Sequence, residues 1–300
     1  MDHKSFVLTL SSNQRAALER TSDGPALRHL ALHGGLIVLF ALLIAVKIPL
    51  WPLLIPVLGI LYIGLFTLQH ECTHKTPFRS QALNEVAGWI SGIILFQPFL
   101  WFRYFHLAHH RHTNDPDHDP ELDGSGKPKT LAAYIFYLST IDYWRSKISV
   151  LGRSGFGSMD ADYLPGRVKP RLRREALIHI ATYAVVAVFT IFVSPILIWT
   201  WLLPIILGFP FLRLYLLAEH GHCPPVADMF ENTRTTFTNR IIRFLAWNMP
   251  YHAEHHACPN VPFHKLPELH GLCAKHLKST SNSYTGFHRG YLNTLSTHRD

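Results

Sequence analysis

The chain has 300 residues, of which 48% are hydrophobic and 16% charged, with a formal net charge of +8 and a positive mean hydropathy. That balance excludes one or two ordinary soluble domains and indicates a membrane protein. The basic residues flank apolar stretches, so anionic lipid accounts for the charge and no nucleic-acid partner is expected.

Residues 1–29 are polar and mixed in charge, which predicts an interfacial segment lying before the membrane. The first apolar stretch begins near residue 30 with no small-residue cleavage site after it, so no signal peptide is expected. Leu30 to Val46 predicts a first span, and Lys47, Pro49 and Pro52 mark a short turn. Leu53 to Leu68 predicts a second, which delivers His70 and His74 at its exit. Both runs fall short of the ~20 residues that a bilayer needs, so the helices should extend past them.

Val86 to Phe102 is also uncharged, and hydropathy alone would make it a third span. A crossing there would put His70 and His74 on the opposite face from His106, His109 and His110, unable to share a site. The stretch is therefore read as an interfacial or re-entrant helix, with Phe99, Trp101, Phe102, Tyr104 and Phe105 at its end.

Thr113 to Arg174 is polar. Asp115 to Glu121 reads as a turn-rich acidic loop. Leu131, Tyr134, Ile135, Leu138 and Ile141 follow at helical spacing and predict one amphipathic surface helix. Gly152 to Gly166 predicts a glycine-rich loop. The basic run Arg167, Lys169, Arg171, Arg173 and Arg174 marks a membrane flank. Ala176 to Val193 and Ile196 to Ala218 predict the third and fourth spans, turned by Ser194-Pro195. Four Lys and Arg precede residue 30, fourteen lie in 71–174 and eight follow 218, leaving Lys47 and Arg213 in the spans and their short connections. The positive-inside rule then puts both termini and every histidine cluster in the cytoplasm.

The histidines carry the chemistry. His252, His255 and His256 are related by i, i+3 and i+4, so on a helix they share one face. His106, His109 and His110 repeat that spacing, and His70 and His74 lie one turn apart. A lone histidine is more often a core residue than a ligand. Two copies of one triplet plus a pair, each beside an apolar segment, reverse that expectation and suit more than one nitrogen-preferring metal ion. Spacing alone leaves iron and zinc open. Asp115, Asp119 and Glu121 have two readings, as carboxylates that orient imidazoles or as a solvated Asp-Pro turn, and Glu71 and Glu254 share that ambiguity. Cys72, Cys223, Cys258 and Cys273 lack repeated Cys-x2-Cys spacing and are read as reduced thiols.

His-x3-His, His-x2-His-His and His-x2-His-His, in this order and each at the edge of an apolar segment, resemble the membrane fatty acid desaturase superfamily. The likeness runs from about Gly35 to His270. It implies an all-α polytopic membrane protein with four transmembrane helices, interfacial helices and a cytoplasmic histidine-box metal cap. The implied division is a cytoplasmic N-terminal segment (1–29), a desaturase-like domain (30–270) and a cytoplasmic tail (271–300). The implied chemistry is a di-iron, O2-dependent acyl desaturase, or a hydroxylase, ketolase or alkane-type monooxygenase of the same superfamily. The box histidines would be catalytic as metal ligands, and the superfamily's extra ligand at the fourth span's exit carries over to His220. His222, past Gly221, is the weaker candidate. His264 and His270 are taken as structural, and His276, His288 and His298 as ordinary surface residues. No electron-carrier motif is present, so electrons should come from a ferredoxin, rubredoxin or cytochrome b5 type donor.

Two rivals belong to other classes. His70-Glu71-Cys72-Thr73-His74 matches the zinc protease signature, and Leu122-Asp123-Gly124 echoes an intramembrane metalloprotease motif, but that reading leaves six box histidines without a role. A metal transporter or bis-histidine haem cytochrome would place its histidines near the bilayer middle, whereas here they cluster at the exits of spans.

Overall fold

The computed structural model describes residues 1–123 and 126–295. It is mostly helical, with a single two-residue parallel pairing of β1 (Thr235–Thr236) and β2 (Thr280–Ser281) among the described residues. In chain order the helices are α1 (His3–Thr9), α2 (Ser12–Leu18), α3 (Asp23–Ala45), α4 (Leu54–His74), α5 (Gln81–Ile94), α6 (Phe99–His112), α7 (Leu131–Leu138), α8 (Ile141–Gly155) and α9 (Lys169–Phe192). There follow α10 (Leu203–His220), α11 (Met229–Asn232), α12 (Arg240–Leu245), α13 (His252–Ala257), α14 (Leu266–Cys273) and α15 (Tyr284–Asn293).

Four helical stretches are long and apolar enough to cross a membrane: Ser12–Ala45, Trp51–His74, Gly166–Phe192 and Ile198–His220. They are the four expected spans, each extending beyond its apolar run. The lengthening matters chemically because α4 continues through His70 and His74, fixing both on a rigid rod.

α4 packs most extensively on α10. The two backbones nearly touch: a Cβ on Gly59 would lie 2.3 Å from the Pro204 carbonyl oxygen, and one on Gly208 would lie 2.5 Å from that of Gly59. Without a strong hydrophobic drive between helices in lipid, this close approach supplies the dispersion contacts that hold the pair. Ile55, Leu58, Ile205, Phe209 and Leu212 fill the core around it.

The uncharged stretch at 86–102 is two helices, α5 and α6, bent by 102° at a short break. Phe96 takes a left-handed φ of 57° there. The Gln97 carbonyl comes so close that a Cβ on Gly92 would lie 2.5 Å from it. Gln69 of α4 clamps the bend: its Nε2 donates to the Gln97 carbonyl at 3.0 Å, and Gln97 Nε2 donates to Gln69 Oε1 at 2.9 Å. The second histidine cluster is thereby folded back onto the first.

Three local expectations are corrected. The amphipathic helix predicted over 131–141 is α7 followed by α8, because Thr140 adopts φ 61°. Gly152 and Gly155 lie inside α8, so the loop is shorter than 152–166. The basic run is helical from Lys169 onward, as the first turns of α9. At the N-terminus, Phe6 and Leu18 bury against Phe230, Met249, Val261 and Leu266, so residues 1–18 cover the segment that carries α13. The four cysteines are free.

Candidate metal centre

Nine histidines from four elements meet in one buried region, and they sort into two sets. His70 and His74 of α4, His106 and His110 of α6 and His255 of α13 form the first, with ring nitrogens within 4.8 Å of one another. His109 of α6, His220 of α10 and His256 of α13 form the second. His252 joins it, its Nε2 lying 3.2 Å from His220 Nε2 and 3.1 Å from His256 Nε2. The expectation of one shared face per triplet is thus refined. Consecutive residues diverge by about 100° around a helix, so each His-x2-His-His supplies both sets. α6 gives His106 and His110 to one and His109 to the other; α13 gives His255 to the first and His252 and His256 to the second.

The spacing fits metal ions. A metal–imidazole bond of ~2.1 Å puts two ligand nitrogens at right angles about 3 Å apart. The Nε2 pairs His74–His106, His109–His220 and His220–His252 stand at 2.9, 3.2 and 3.2 Å. Nε2 of His70, His110 and His255 is buried with no protein partner. Leaving such groups unpaired costs about 1–3 kcal/mol each, roughly 3–9 kcal/mol for the three. That rivals the whole stability of a domain, so a purely structural role for these imidazoles is a poor account.

Their outward nitrogens are held. His109 Nδ1 lies 2.9 Å from Asp119 Oδ1, His220 Nδ1 3.2 Å from the Asn232 carbonyl oxygen and His256 Nδ1 3.1 Å from Thr113 Oγ1. His252 Nδ1 and His255 Nδ1 stand 3.3 and 3.5 Å from carboxylate oxygens of Glu219 and Glu71, without aligned hydrogen bonds. An Nδ1–H directed at an acceptor leaves the Nε2 lone pair facing inward. Burial, reinforced by neighbouring imidazoles, pushes His252, His255 and His256 well below the usual histidine pKa. They are therefore neutral, the form that binds metal.

A family model for fatty acid desaturases matches residues 48–287, four-fifths of the chain and all nine histidines. The chain belongs to the fatty acid desaturase family. It is similar to the dihydrorhizobitoxine desaturase of Bradyrhizobium elkanii, at 26% identity over 73% of this chain and 67% of that protein. It is similar also to the chloroplastic omega-6 fatty acid desaturase of Brassica napus, at 24% identity over 69% of this chain and 50% of the relative. A shorter stretch, 23% of this chain, is 36% identical to 21% of the sn-1 oleoyl-lipid 12-desaturase of Picosynechococcus. The chain spans about half the length, or less, of several curated desaturases that it matches.

Around the two histidine sets the acidic residues divide. Asp119 is buried; burial alone would raise its pKa, but hydrogen bonds from His109 and from the backbone N–H groups of Glu121 and Asn114 hold it below the usual carboxylate range. Asp115 is the solvated turn residue, capping the Asp117 N–H and pairing with exposed His118. Glu121 Oε2 lies 3.5 Å from His109 Nδ1 at the surface. Glu254 accepts from Thr235 Oγ1 and contacts His270 Nδ1, so both of its oxygens are engaged outside the two histidine sets. Glu71 is fully buried, its Oε2 accepting from Thr76 Oγ1 and the Phe263 N–H. His70 and His74 share their set with three further imidazoles, for which the zinc protease reading has no role.

Sequence reasoning missed Glu219, the Asn232 carbonyl and Thr113. Glu219 adjoins His220, but adjacency on a helix turns two side chains about 100° apart, so the chain alone gives no sign that Glu219 reaches His252. His288 is corrected: it is half-buried, its Nδ1 3.1 Å from the Tyr134 hydroxyl and its Nε2 3.0 Å from the Leu214 carbonyl. His298 lies outside the described residues.

Proposed function

We propose that this chain is a membrane di-iron, O2-dependent desaturase that introduces a double bond into an acyl chain. The single observation that carries the reading is the pair of buried imidazole sets, with Nε2 of His70, His110 and His255 left without a protein partner. His70, His74, His106, His110 and His255 would hold one iron, and His109, His220, His252 and His256 the other. Two irons bound there supply the redox capacity to turn dioxygen, the co-substrate, against an unactivated C–H bond. Electrons come from a separate carrier of ferredoxin, rubredoxin or cytochrome b5 type.

The chain's own residues do the positioning. Asp119, the Asn232 carbonyl and Thr113 fix imidazole rings, while Glu219 and Glu71 stand behind two more. Phe102 stacks on His106 at 5.5 Å between ring centroids and, with Phe66 and Phe105, lines a cavity of about 360 Å³ beside the first set. Such aromatic walls exclude water and hold a chain in line with the reacting atoms. A larger groove of about 680 Å³ runs between α4, α10, α12 and α15. The smaller cavity is the better substrate site, because its walls include a ring stacked on a histidine of the first set and Glu121, which touches His109 of the second.

Mass spectrometry of total lipids and free acids from cells with and without the chain tests the reaction. The expected new product is lighter than its precursor by one hydrogen pair. A product heavier by one oxygen atom would make it a hydroxylase, and purified protein holding zinc in place of iron would overturn the di-iron assignment.

Both termini and the metal centre are proposed to face the cytoplasm, with α5 and α6 re-entrant, supported by loop charge and the 102° bend. Cysteines introduced near Gly126 and near Ser279 should both react with a membrane-impermeant thiol reagent only from the cytoplasmic side. Labelling of the Gly126 position from outside would mean that α5 and α6 cross, and the orientation would fall.

A further inference from the structure

The cavity beside the histidines is apolar on one wall and cationic on another. Lys147 of α8 and Arg213 of α10 both line it. Lys147 is 6% exposed, its ammonium donating to Gln97 Oε1 at 2.7 Å and lying 4.4 Å from the centre of the Tyr143 ring. The Arg213 guanidinium lies 3.5 Å over Tyr137 and 5.2 Å from Tyr143, and its Nε is buried with no acceptor. Among the described residues neither cation pairs with a carboxylate, whereas Arg103, Lys169 and Lys278 each do.

The carboxylates that share the cavity wall are engaged or outlying. Asp142 pairs with Arg145 at 3.4 Å, Glu121 lies against His109, and Asp123 is exposed. Two cations around one tyrosine, one of them buried, repel each other and lose hydration with no protein charge to offset either cost. Burial first, and then Arg213, pushes the Lys147 ammonium well below the usual lysine pKa. Ring faces offset part of that penalty; an anion placed between the two cations would offset more.

We propose that this cavity takes the anionic group of the substrate, a carboxylate or a phosphate held by Lys147 and Arg213, with the attached chain running along Phe102 and Phe105 toward the histidines. The assignment rests on the desaturase reading and adds to it a substrate class: an amphiphile that enters with its charged group, oxidised at a set distance from that group. Arg213 precedes His220 by seven residues on one helix, which places the anion about 10 Å from the metal end along the axis. The reacting bond is therefore several carbons from the head.

Equilibrium binding to the protein as purified, without an electron donor, in phosphatidylcholine nanodiscs, with empty discs as the blank, tests this apart from catalysis. The probes are dodecanoate, dodecyl phosphate and dodecan-1-ol. At least one anion should bind about tenfold or more tightly than the alcohol, the scale of a hydrogen bond to a charged group. Lys147→Met and Arg213→Gln should each abolish that preference and leave alcohol binding unchanged. Lys147→Met keeps the apolar stem and removes a buried charge, so its melting temperature should hold or rise. Tighter dodecyl phosphate identifies a phosphate head, and tighter dodecanoate a free acid. Equal affinity for the alcohol and both anions, or a preference that survives both substitutions, would overturn the pocket. Because the measurement reads binding without turnover, failure here leaves the metal assignment standing, and loss of the metal assignment would not touch the anion preference.

Discussion

His255→Ala and His109→Ala should each abolish substrate oxidation while leaving the protein folded and inserted. His255 is fully buried in the first set, with both ring nitrogens free of protein hydrogen bonds. Its replacement leaves four imidazoles there and frees Glu71 from its nearest histidine. His109 belongs to the second set and is the histidine most firmly oriented, since Asp119 accepts from its Nδ1 and is itself fastened by two backbone N–H groups. Altering a residue that merely orients a ligand costs about 10–100-fold in metal affinity or activity, so deleting a ligand should exceed that range. Iron in the purified protein should fall from about two per chain to about one or fewer. The fold should persist because the α4–α10 core is built from Leu58, Ile205, Phe209 and Leu212, away from the histidines. Metal analysis and product mass spectrometry on the same preparation decide the matter. Full activity with full iron in both variants would sink the site.

Much of this architecture is legible in the chain because its signals are redundant. Four apolar runs, each flanked by charge, specify four long helices, and the histidine spacing survives any error of a residue or two in their ends. The bend between α5 and α6 is legible only indirectly. Hydropathy favours one straight span over 86–102, and it is the demand for a shared site that argues for a return; the physical agents, Gly92 beneath the Gln97 carbonyl and the Gln69–Gln97 clamp, carry no pattern that a sequence reader would mark. The break at Thr140 is hidden for a similar reason, since neither glycine nor proline stands there.

The partners of the imidazoles were the least legible part. Asp115 and Asp119 look alike in an Asp-Pro-rich turn, yet one is solvated and the other buried against His109, a difference set by where the loop docks. Asn232 acts through its backbone carbonyl, so its identity as an asparagine is no guide to that contact. Residues 1–18 read as an interfacial segment because their few apolar side chains are scattered. Folding gathers Phe6 and Leu18 onto Phe230 and Met249, beside the helix that supplies three of the nine histidines.

His220→Ala should lose iron and activity by roughly a hundredfold or more, the upper end of what disturbing a metal site costs, whereas His222→Ala should keep both. The two residues are separated by one glycine and by very different surroundings. His220 is the last residue of α10, 3% exposed, with its Nε2 reaching His109 and His252 and its Nδ1 directed at the Asn232 carbonyl. Its own carbonyl accepts from Lys127 Nζ at 2.8 Å, which pins the helix end. Gly221 has an ordinary negative φ of −61°. It is required for space: a Cβ would lie 2.4 Å from the Leu217 carbonyl oxygen and 2.7 Å from the Phe287 ring. The left-handed turn falls on His222 itself, at φ 58°, and swings its ring out of the centre. There it stacks on Tyr291 at 4.2 Å and lies 3.2 Å from Thr294 Oγ1. Removing an exposed stacked ring away from a site should change stability by no more than about 1 kcal/mol. Iron content and turnover of His222→Ala should then stay within about twofold of the unaltered chain. If iron falls with His222→Ala and survives His220→Ala, the turn at Gly221 must unwind in the metal-loaded protein, and the second set must be redrawn around His222.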